Sequence, residues 1–433
     1  MIIALDIAGY SARMQPNEAH WTAEVAFGKI VVRAWAKPTD SEESSPMQLR
    51  LPTDTEAIIA NARSIGPIIE EEADKFAKQR RLTDDVVALM RRAGLFRIAF
   101  PKAWGGPEMD ILSQCEVMET LGYHDASAAW VAMICSDSGH YAARIDETEA
   151  RALYPSLDLL TAGTVAPAGQ AHIVDDGLKV SGRWPFGSGC LHADRLVAGC
   201  VLFENGKPQM GAGGRPEFRV VWLPKDKVQI HDTWYTTGLA GSGSNDYSVQ
   251  DIVVPRVHSF HPFRVGTRIE PLYRYHGFFF ANLPAVALGC ARRMIDDFCE
   301  LAQRKITPPA LTPLKNEYRA QVALAEANTR LSAARAYQDS SLSSVWQTLS
   351  RGETPTAAQR AAVGLMAIHS LQEALKVGEI VCEAAGTAAL YASSPFERRR
   401  RDLITMSNHI IGQRRTQQAM GQLLFGEEIM THV

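Results

Sequence analysis

Features that would mark a membrane or secreted protein are missing from this chain. No apolar run reaches the roughly eighteen residues from which a transmembrane helix is inferred. No charged segment followed by an apolar segment and a cleavage site opens the chain, as in a secretion signal. Charge of one sign is not in excess, because the net charge is -3; this gives no reason to expect nucleic acid or an anionic membrane as partner. These absences predict a soluble, cytoplasmic protein.

Cysteine is scarce and scattered. The seven cysteines form no C-x-x-C pair and have no histidine at the spacing of a metal site. An odd, dispersed set is typical of reduced thiols in the cytosol. We therefore expect neither a disulfide framework nor a metal centre.

The pattern of apolar and polar residues changes near Met47. Residues 1–46 mix short apolar pieces with a polar DSEESSP end and show no sustained period. This predicts a loosely attached N-terminal extension, with the natural start of the protein at Met47.

The rest of the chain divides by its periodicity into three parts. Apolar residues recur at three and four positions in residues 47–158, which predicts an N-terminal α-helical domain. Short β-type runs between Gly, Pro and Asp turns fill residues 159–270 and predict a small barrel or sandwich. The helical period returns in residues 271–433 and predicts a four-helix section. The expected fold class is α+β, with a β domain between two helical domains.

Three local predictions concern the first helical domain. An N-cap candidate at Thr83 predicts that a helix begins there. LFRIAFPKAWGG, after Gly94, is predicted to be an extended apolar segment closed by a turn. A single helix, small and apolar throughout, is predicted from Ala126 to Arg144 and should be buried on most of its surface.

The stretch from Ala162 to Gly189 holds the densest set of candidate binding residues. It predicts a turn-rich loop, then two short strands about a turn at Asp176-Gly177, then a second loop with the tip WPFGSG. Aromatic rings can flank a planar cofactor, glycine lets the backbone come close, and a serine hydroxyl can bond to a ring nitrogen. A β-turn with buried aromatic side chains would give the same string.

Four strings resemble the acyl-CoA dehydrogenase superfamily, from about residue 55 to near the end of the chain. They are LMRRAGLFRIAFPKAWGG, WYTTGLAGSGSNDYSVQDIVVP, ARRMIDDFCELAQRK and SPFERRRRDL. The resemblance implies an N-terminal α-helical domain, a middle β-barrel domain and a C-terminal four-helix bundle. It also implies a flavin held between these domains and a homotetramer or homodimer built on the bundle.

One departure from that superfamily changes the expected chemistry. Acyl-CoA dehydrogenases use a carboxylate base, commonly a glutamate, in the loop after an Arg-Asp pair. The segment after Arg401-Asp402 has no glutamate at that place and has His409 instead. Together with the GQLLFG string and the WPFGSG tip, this histidine resembles the oxygenase components of two-component flavin-dependent monooxygenases.

That resemblance implies an enzyme with a separate flavin reductase as partner. The reductase would supply reduced flavin, FMNH2 or FADH2, which reacts with O2 to give a flavin C4a-hydroperoxide. The hydroperoxide would then hydroxylate an apolar substrate, aromatic or polycyclic. The apolar run GFFFANLP at 277–284 fits a hydrophobic ligand, although helix-bundle core would have the same composition.

The resemblance also implies roles for residues on the flavin side. Ser188 is expected beside the reactive flavin edge, although it could simply cap the loop. Arginine is well suited to phosphate, and Arg304 is expected to reach the flavin phosphate of a neighbouring subunit, unless it is a solvated helix end. The remaining candidates for contact with the flavin are Trp184, Phe186, Gly187, Thr164, Ser242 and Ser244.

Two histidines are expected on the substrate side. An imidazole titrates near neutral pH, which suits removal of a phenolic proton. His409 is the candidate base or hydrogen-bond partner, and His140, at the end of a buried helix, is a second candidate. A buried histidine that bonds to a backbone carbonyl is the alternative for His409.

Two other functions stay open at this stage. One is an acyl-CoA dehydrogenase that oxidises an acyl-CoA thioester with FAD and has its base relocated. The other is a non-catalytic protein with the same fold, which would bind neither oxidised nor reduced flavin with useful affinity.

Overall fold

The computed structural model describes residues 20–25, 28–33, 49–211 and 214–427. The chain divides into two compact units, Met1–Gln48 and Leu49–Val433. In the first, strands β1 (His20–Val25) and β2 (Gly28–Arg33) pair in antiparallel fashion, a hairpin that the aperiodic sequence did not predict. The predicted start at Met47 and the rest of the extension lie outside the described residues.

The second unit begins with six helices, as the apolar period predicted. Aspartate side chains accept from backbone amides at the starts of α1, α3, α4 and α6, and Thr83 takes the N-cap position of α2. The helices are α1 (Thr55–Gln79), α2 (Asp84–Arg92), α3 (Ile111–His124), α4 (Ala126–Ser136), α5 (Ser138–Ala142) and α6 (Glu147–Leu153).

Two predictions for this region are wrong. The helix expected from Ala126 to Arg144 breaks at Asp137, because the Ser138 hydroxyl donates to the carbonyl of Cys135 over 2.8 Å and starts a new turn. The segment LFRIAFPKAWGG is a series of turns rather than extended chain, with a 3-10 turn at Lys102–Trp104. Its apolar side chains are nevertheless buried, which explains the apolar composition.

A single mixed sheet follows in the chain. Its strand order is β10-β7-β5-β3-β4-β9-β8, with β6 also paired to β5. β3 and β5 run parallel, and the other pairs are antiparallel. The strands are β3 (Thr161–Val174), β4 (Gly177–Gly187), β5 (Arg195–Glu204), β6 (Lys207–Pro208), β7 (Phe218–Leu223), β8 (Gln229–His231), β9 (Asn245–Val254) and β10 (Ser259–Phe260).

The sheet corrects the expectation for the stretch from Ala162 to Gly189. The predicted first loop is strand β3, whose register against β5 shifts between Thr164 and Gly169. Because of this shift, the residues between them bulge out of the sheet. β4 extends through Gly187, so most of the WPFGSG string belongs to a strand and not to a loop.

The C-terminal helices form the bundle that the period predicted. His409 lies in the gap between the last two of these helices. The helices are α7 (Phe278–Ala281), α8 (Leu283–Arg304), α9 (Tyr318–Ser350), α10 (Ala357–Ala385), α11 (Pro395–Ser407) and α12 (Arg414–Leu424).

One helical segment, Phe278–Arg304, is long and apolar enough to cross a bilayer by length and composition alone. Within the fold, 83% of its apolar window is buried, which is the position of a core helix. It packs closely on α3, where a Cβ at Gly289 would lie 2.1 Å from the carbonyl oxygen of Glu119.

A partly buried ion-pair cluster ties α11 to α1 and α8. The carboxylate of Glu70 on α1 lies 3.1 Å from Arg399 on α11 and 2.8 Å from Arg293 on α8. Arg399 also pairs with Asp297 on α8. Because α11 leads directly into the segment that contains His409, this cluster determines where that histidine lies.

Candidate active site

Three serine hydroxyls and one indole form a row of hydrogen bonds near the end of β4. Trp130 on α4 donates its Nε1–H to Oγ of Ser188 over 3.1 Å. The Ser188 and Ser244 hydroxyl oxygens are 2.7 Å apart, as are those of Ser244 and Ser242. Ser242 donates to the carbonyl of Leu239 over 2.7 Å. We call these five residues the hydroxyl row; its three serines are buried.

The direction of the hydroxyl row follows from its two ends. The Leu239 carbonyl can only accept, so Ser242 donates there and must accept from Ser244. Ser244 then accepts from Ser188, while the indole of Trp130 can only donate. Ser188 therefore uses its proton inside the row and has a second lone pair left. It can accept a further hydrogen bond but not donate one.

His409 also contacts Trp130. Its Nδ1 accepts from the backbone N–H of Ile411 over 3.4 Å, at the start of the 3-10 turn Ile410–Gly412. The imidazole ring is 5.6 Å from the ring of Trp130 and 6.3 Å from that of Phe280. The indole of Trp130 thus contacts both Ser188 and His409, two candidate residues that are far apart in the sequence.

His140 lies deeper along the same aromatic surface. Its ring centroid is 5.3 Å from that of Phe279 and 6.2 Å from that of Tyr273, and the residue is 4% exposed. Nε2 is buried and has no hydrogen-bond partner among the described residues. Burial lowers the pKa of His140 to about 3, so the imidazole is neutral near pH 7.

Arg144 was not among the candidates from the sequence, although it is the one basic residue in an otherwise small and apolar segment. The Cζ of Arg144 lies 4.5 Å from the ring centroid of Phe279, and one terminal nitrogen of its guanidinium donates to the carbonyl of Arg264 over 2.5 Å. Its Nε is buried without a partner in the part of the chain that the structure describes. Burial lowers the pKa of Arg144 to about 10.

The aromatic residues of the WPFGSG string have opposite placements. Phe186 is 65% exposed, has a positive φ of 63° and contacts the ring of Trp234 at 6.3 Å. Trp184 is fully buried, stacks on Tyr247 at 5.5 Å and donates to the carbonyl of Gly199 over 2.7 Å. The side chain of Trp184 belongs to the core of the β domain and has no surface to offer a flavin, whereas Phe186 has.

Thr164 and Gly187 adjoin the same tyrosine. The backbone N–H of Thr164 donates to Oη of Tyr247 over 2.9 Å, and a Cβ at Gly187 would lie 2.9 Å from the Tyr247 ring. After Thr164 the bulge exposes Ala166, Pro167 and Ala168. The bulge and Phe186 therefore give an apolar, partly exposed surface beside the end of β4.

Arg304 is distant from the hydroxyl row and lines a groove of about 390 Å³. The groove ends at the N-terminus of α11, where Oγ of Ser394 is buried and has no partner among the described residues. A helix N-terminus, a hydroxyl and a guanidinium can donate to a phosphate, and the carboxylates of Asp297 and Glu300, which line the same groove, oppose an anion there.

The hydroxyl row is tied to α11 by a residue that the sequence did not single out. Leu239, whose carbonyl ends the row, donates its N–H to Asp402 over 2.6 Å. Burial, together with the nearby carboxylate of Asp125, raises the pKa of Asp402 to about 7. Asp402 thus connects the serines to the helix that precedes His409.

These groups fit a flavin without rearrangement of the backbone. The bulge after Thr164 and the ring of Phe186 offer apolar surface to a planar ring system. Ser188 offers an acceptor, which matches a ring N–H. The groove at Arg304 has the donors for a phosphate. In fold and site, this is an acyl-CoA dehydrogenase-like flavoprotein.

Comparison with known proteins agrees with this class. The family model for the acyl-CoA dehydrogenase N-terminal domain matches residues 55–146, and that for the C-terminal domain matches residues 282–414. Indole-3-acetate monooxygenase of Acinetobacter baumannii is 30% identical over 356 residues, which cover 82% of this chain and 90% of that protein. The chain therefore belongs to the flavin-dependent monooxygenases with the acyl-CoA dehydrogenase fold.

Further comparisons agree on the oxygenase component. Flavin-dependent monooxygenase, oxygenase subunit HsaA of Mycobacterium tuberculosis, is 26% identical, covering 81% of this chain and 90% of that one. The crystal structure of that monooxygenase superposes with a TM-score of 0.79 at 23% identity, covering 88% of this chain and 99% of that chain. Reduced flavin and O2 are thus the cofactor and co-substrate of an oxygenase component.

Proposed function

We propose that this chain hydroxylates an apolar aromatic compound, with reduced flavin delivered by a separate reductase. A single arrangement carries the proposal: Trp130 bonds to Ser188 over 3.1 Å through its indole edge and meets the ring of His409 at 5.6 Å. A flavin edge at Ser188 and a substrate proton at His409 would therefore both lie next to one indole.

The residues that would hold the flavin are those with an exposed apolar surface, a free hydrogen-bond acceptor or free hydrogen-bond donors. Ser188 would accept from a ring N–H, and Phe186, Gly187 and Thr164 would line the face of the ring. Arg304 would bind phosphate in the groove at α11. When bound, reduced flavin supplies the electrons that activate O2 and allow one oxygen atom to be passed to the substrate.

The acceptor character of Ser188 bears on the redox state of the flavin. A reduced flavin has a hydrogen on N5, whereas an oxidised flavin has a lone pair there. Because the proton of Ser188 is committed to Ser244, its free lone pair favours a partner that donates. The hydroxyl row would thus bind the reduced ring more tightly than the oxidised one, as an enzyme that receives reduced flavin requires.

On the substrate side, His409 would take the proton that a phenolic or similar substrate loses. Its ring lies against two large apolar rings, those of Trp130 and Phe280. These rings would limit the access of water, which would protect a reactive oxygen species from hydrolysis and uncoupled decay. Acyl-CoA dehydrogenation would instead need a carboxylate base where His409 stands.

The experiment that tests this function measures product formed, hydrogen peroxide released and reduced flavin consumed in single-turnover mixing with O2. We use indole-3-acetate and 4-hydroxyphenylacetate as probes, with FMNH2 and FADH2 in parallel. Ser188→Ala should raise the peroxide yield with either probe. His409→Ala should consume reduced flavin at the wild-type rate but lower the product per flavin about tenfold or more.

His172→Asn is the matched control, because His172 stacks on Phe203 in the sheet, away from Trp130. It should leave all three quantities unchanged. If an acyl-CoA bleached bound FAD under anaerobic conditions, the dehydrogenase would replace the proposal. If neither reduced flavin bound, the non-catalytic alternative would replace it.

We also propose a cytoplasmic homotetramer or homodimer in which Arg304 reaches the flavin of a neighbouring subunit. The exposed position of Arg304 in an open groove supports this assignment. Arg304→Ala should weaken FADH2 binding about tenfold, since a bidentate phosphate contact is lost, while light scattering gives an unchanged oligomer.

A further inference from the structure

Arg144 is a half-buried cation whose Nε is fully buried and whose guanidinium has no counter-ion among the described residues. No carboxylate of the described residues lies within ion-pair distance of its guanidinium. Asp137 is the carboxyl that acts electrostatically on Arg144, and burial raises the pKa of that carboxyl well above its usual range. Burial of an unpaired charge is costly, and a native protein rarely keeps one without a function.

His140 stands one helical turn before Arg144 and has the same unsatisfied character. Both side chains lie on the ring of Phe279, the imidazole at 5.3 Å and the guanidinium at 4.5 Å. The two orphaned nitrogen atoms, His140 Nε2 and Arg144 Nε, therefore belong to one patch. We call these two residues the His140–Arg144 pair.

Aromatic rings connect this pair to the candidate active site. The rings of Phe279 and Phe280 are 6.4 Å apart, and that of Phe280 is 6.3 Å from His409. A planar ligand packed on these two rings would lie between His409 and the His140–Arg144 pair. Oxygen would be transferred near His409, and the His140–Arg144 pair lacks an anion.

We propose that the substrate is an aromatic acid whose carboxylate is bound by the His140–Arg144 pair. The guanidinium would donate from Nε and one terminal nitrogen, and the neutral imidazole from Nε2, so that the orphaned donors become satisfied. The aromatic ring would pack on Phe279 and Phe280, with its reactive edge toward His409. This assignment rests on the proposed function and adds the substrate class to it.

A purely structural role for Arg144 explains less. Its hydrogen bond to the carbonyl of Arg264 uses one terminal nitrogen and would hold the loop after β10. That contact leaves Nε without a partner and gives no reason for a histidine with a second orphaned nitrogen on the same ring. A carboxylate ligand accounts for both.

The test compares binding of each acid with its neutral amide, without flavin or turnover. The probes are indole-3-acetate against indole-3-acetamide and 4-hydroxyphenylacetate against its amide, measured by calorimetry at pH 7.5. Wild-type protein should bind at least one acid tenfold or more tightly than its amide. Arg144→Gln should weaken binding of that acid about tenfold to a hundredfold and change the amide less than threefold. Arg144→Lys keeps the charge but loses the two parallel N–H donors of the guanidinium. Its affinity for the acid should lie between those of wild type and Arg144→Gln.

Arg264→Gln is the matched control, because its guanidinium already pairs with Glu217 at 2.9 Å and its backbone carbonyl is unaffected. It should leave the preference for the acid intact. Equal binding of acids and amides by the wild type, or equal loss of both with Arg144→Gln, would overturn the assignment. In that case neutral aromatic compounds could still be hydroxylated, so the proposed function would stand. If the enzyme oxidised neither the acids nor the amides, the proposed function itself would be contradicted.

Discussion

The two sides of the candidate site differ in how completely their polar groups are satisfied. On the flavin side, every hydroxyl of the hydroxyl row has a partner, and the row ends on a backbone carbonyl. On the substrate side, the His140–Arg144 pair has two buried nitrogen atoms with no partner among the described residues. Buried polar groups are normally paired, so the second side is the exception.

The difference indicates two kinds of binding. A saturated row is rigid and offers one defined acceptor, which suits a ring that must be held in a single orientation. Unpaired donors reduce stability until a ligand with complementary acceptors arrives. We therefore expect substitutions in the hydroxyl row to lower stability, and substitutions in the His140–Arg144 pair to lower binding instead.

The largest expected effect concerns Asp402, which holds the end of the hydroxyl row. Its pKa is raised from 3.8 to about 7, so the folded state prefers the protonated form and stability falls as pH rises through this range. Asp402→Asn keeps an oxygen acceptor for Leu239 and has no charge to bury. Relative to wild type, its free energy of unfolding should therefore rise as the pH increases from 4 to 7, by about 4 kcal/mol in total. Urea unfolding at several pH values measures this; equal pH slopes would contradict it.

Breaking the hydroxyl row in the middle should have the next largest effect. Ser244→Ala removes the acceptor of Ser188 and the donor of Ser242, both of which are buried. The free energy of unfolding should fall by about 2 to 3 kcal/mol, since an unsatisfied buried group costs about 1 to 3 kcal/mol. Ser181→Ala is the control: its hydroxyl bonds to Asp251 in an exposed pair, so its stability should change by about 0.5 kcal/mol or less.

On the substrate side, His140 should show the opposite pH dependence. Its pKa is lowered from 6.5 to about 3, so the unfolded chain binds the proton more readily and stability is lost as pH falls below 6.5. His140→Phe keeps a ring between Phe279 and Tyr273 and removes this loss. The free energy of unfolding of His140→Phe minus that of wild type should be about 2 kcal/mol larger at pH 5 than at pH 8. A difference that does not depend on pH would mean that the imidazole is protonated in the folded protein.

Much of this architecture could be predicted from residue patterns. Periodicity located the helical and β parts, and Thr83 marked the start of α2. The strings that resemble the superfamily led to Ser188 and His409, and in the structure both contact Trp130; their roles stay predictions. Trp184 could have been placed as well, since Leu178, Val180 and Trp184 alternate along β4 and face inward together.

Other features depend on contacts that no local pattern contains. The break between α4 and α5 arises where Ser138 also bonds to the carbonyl of Leu159, a residue well outside the helix. The bulge after Thr164 depends on the register with β5. The importance of Trp130 comes from its contacts with both Ser188 and His409, which are distant from it in the sequence. Arg144 shows its character only through what it does not contact, which a sequence cannot reveal.

The smallest effect on stability is expected for Arg144→Met, and it is the most direct test of the difference between the flavin side and the substrate side. Arg144→Met removes a half-buried cation and its orphaned Nε, which favours folding, but also the hydrogen bond to Arg264, which opposes it. The two effects nearly cancel, so the free energy of unfolding should change by about 1 kcal/mol or less. Substrate acids should at the same time lose most of their affinity. A loss of several kcal/mol in urea unfolding would show that Arg144 is a structural clamp, and the two sides of the site would then no longer differ in kind.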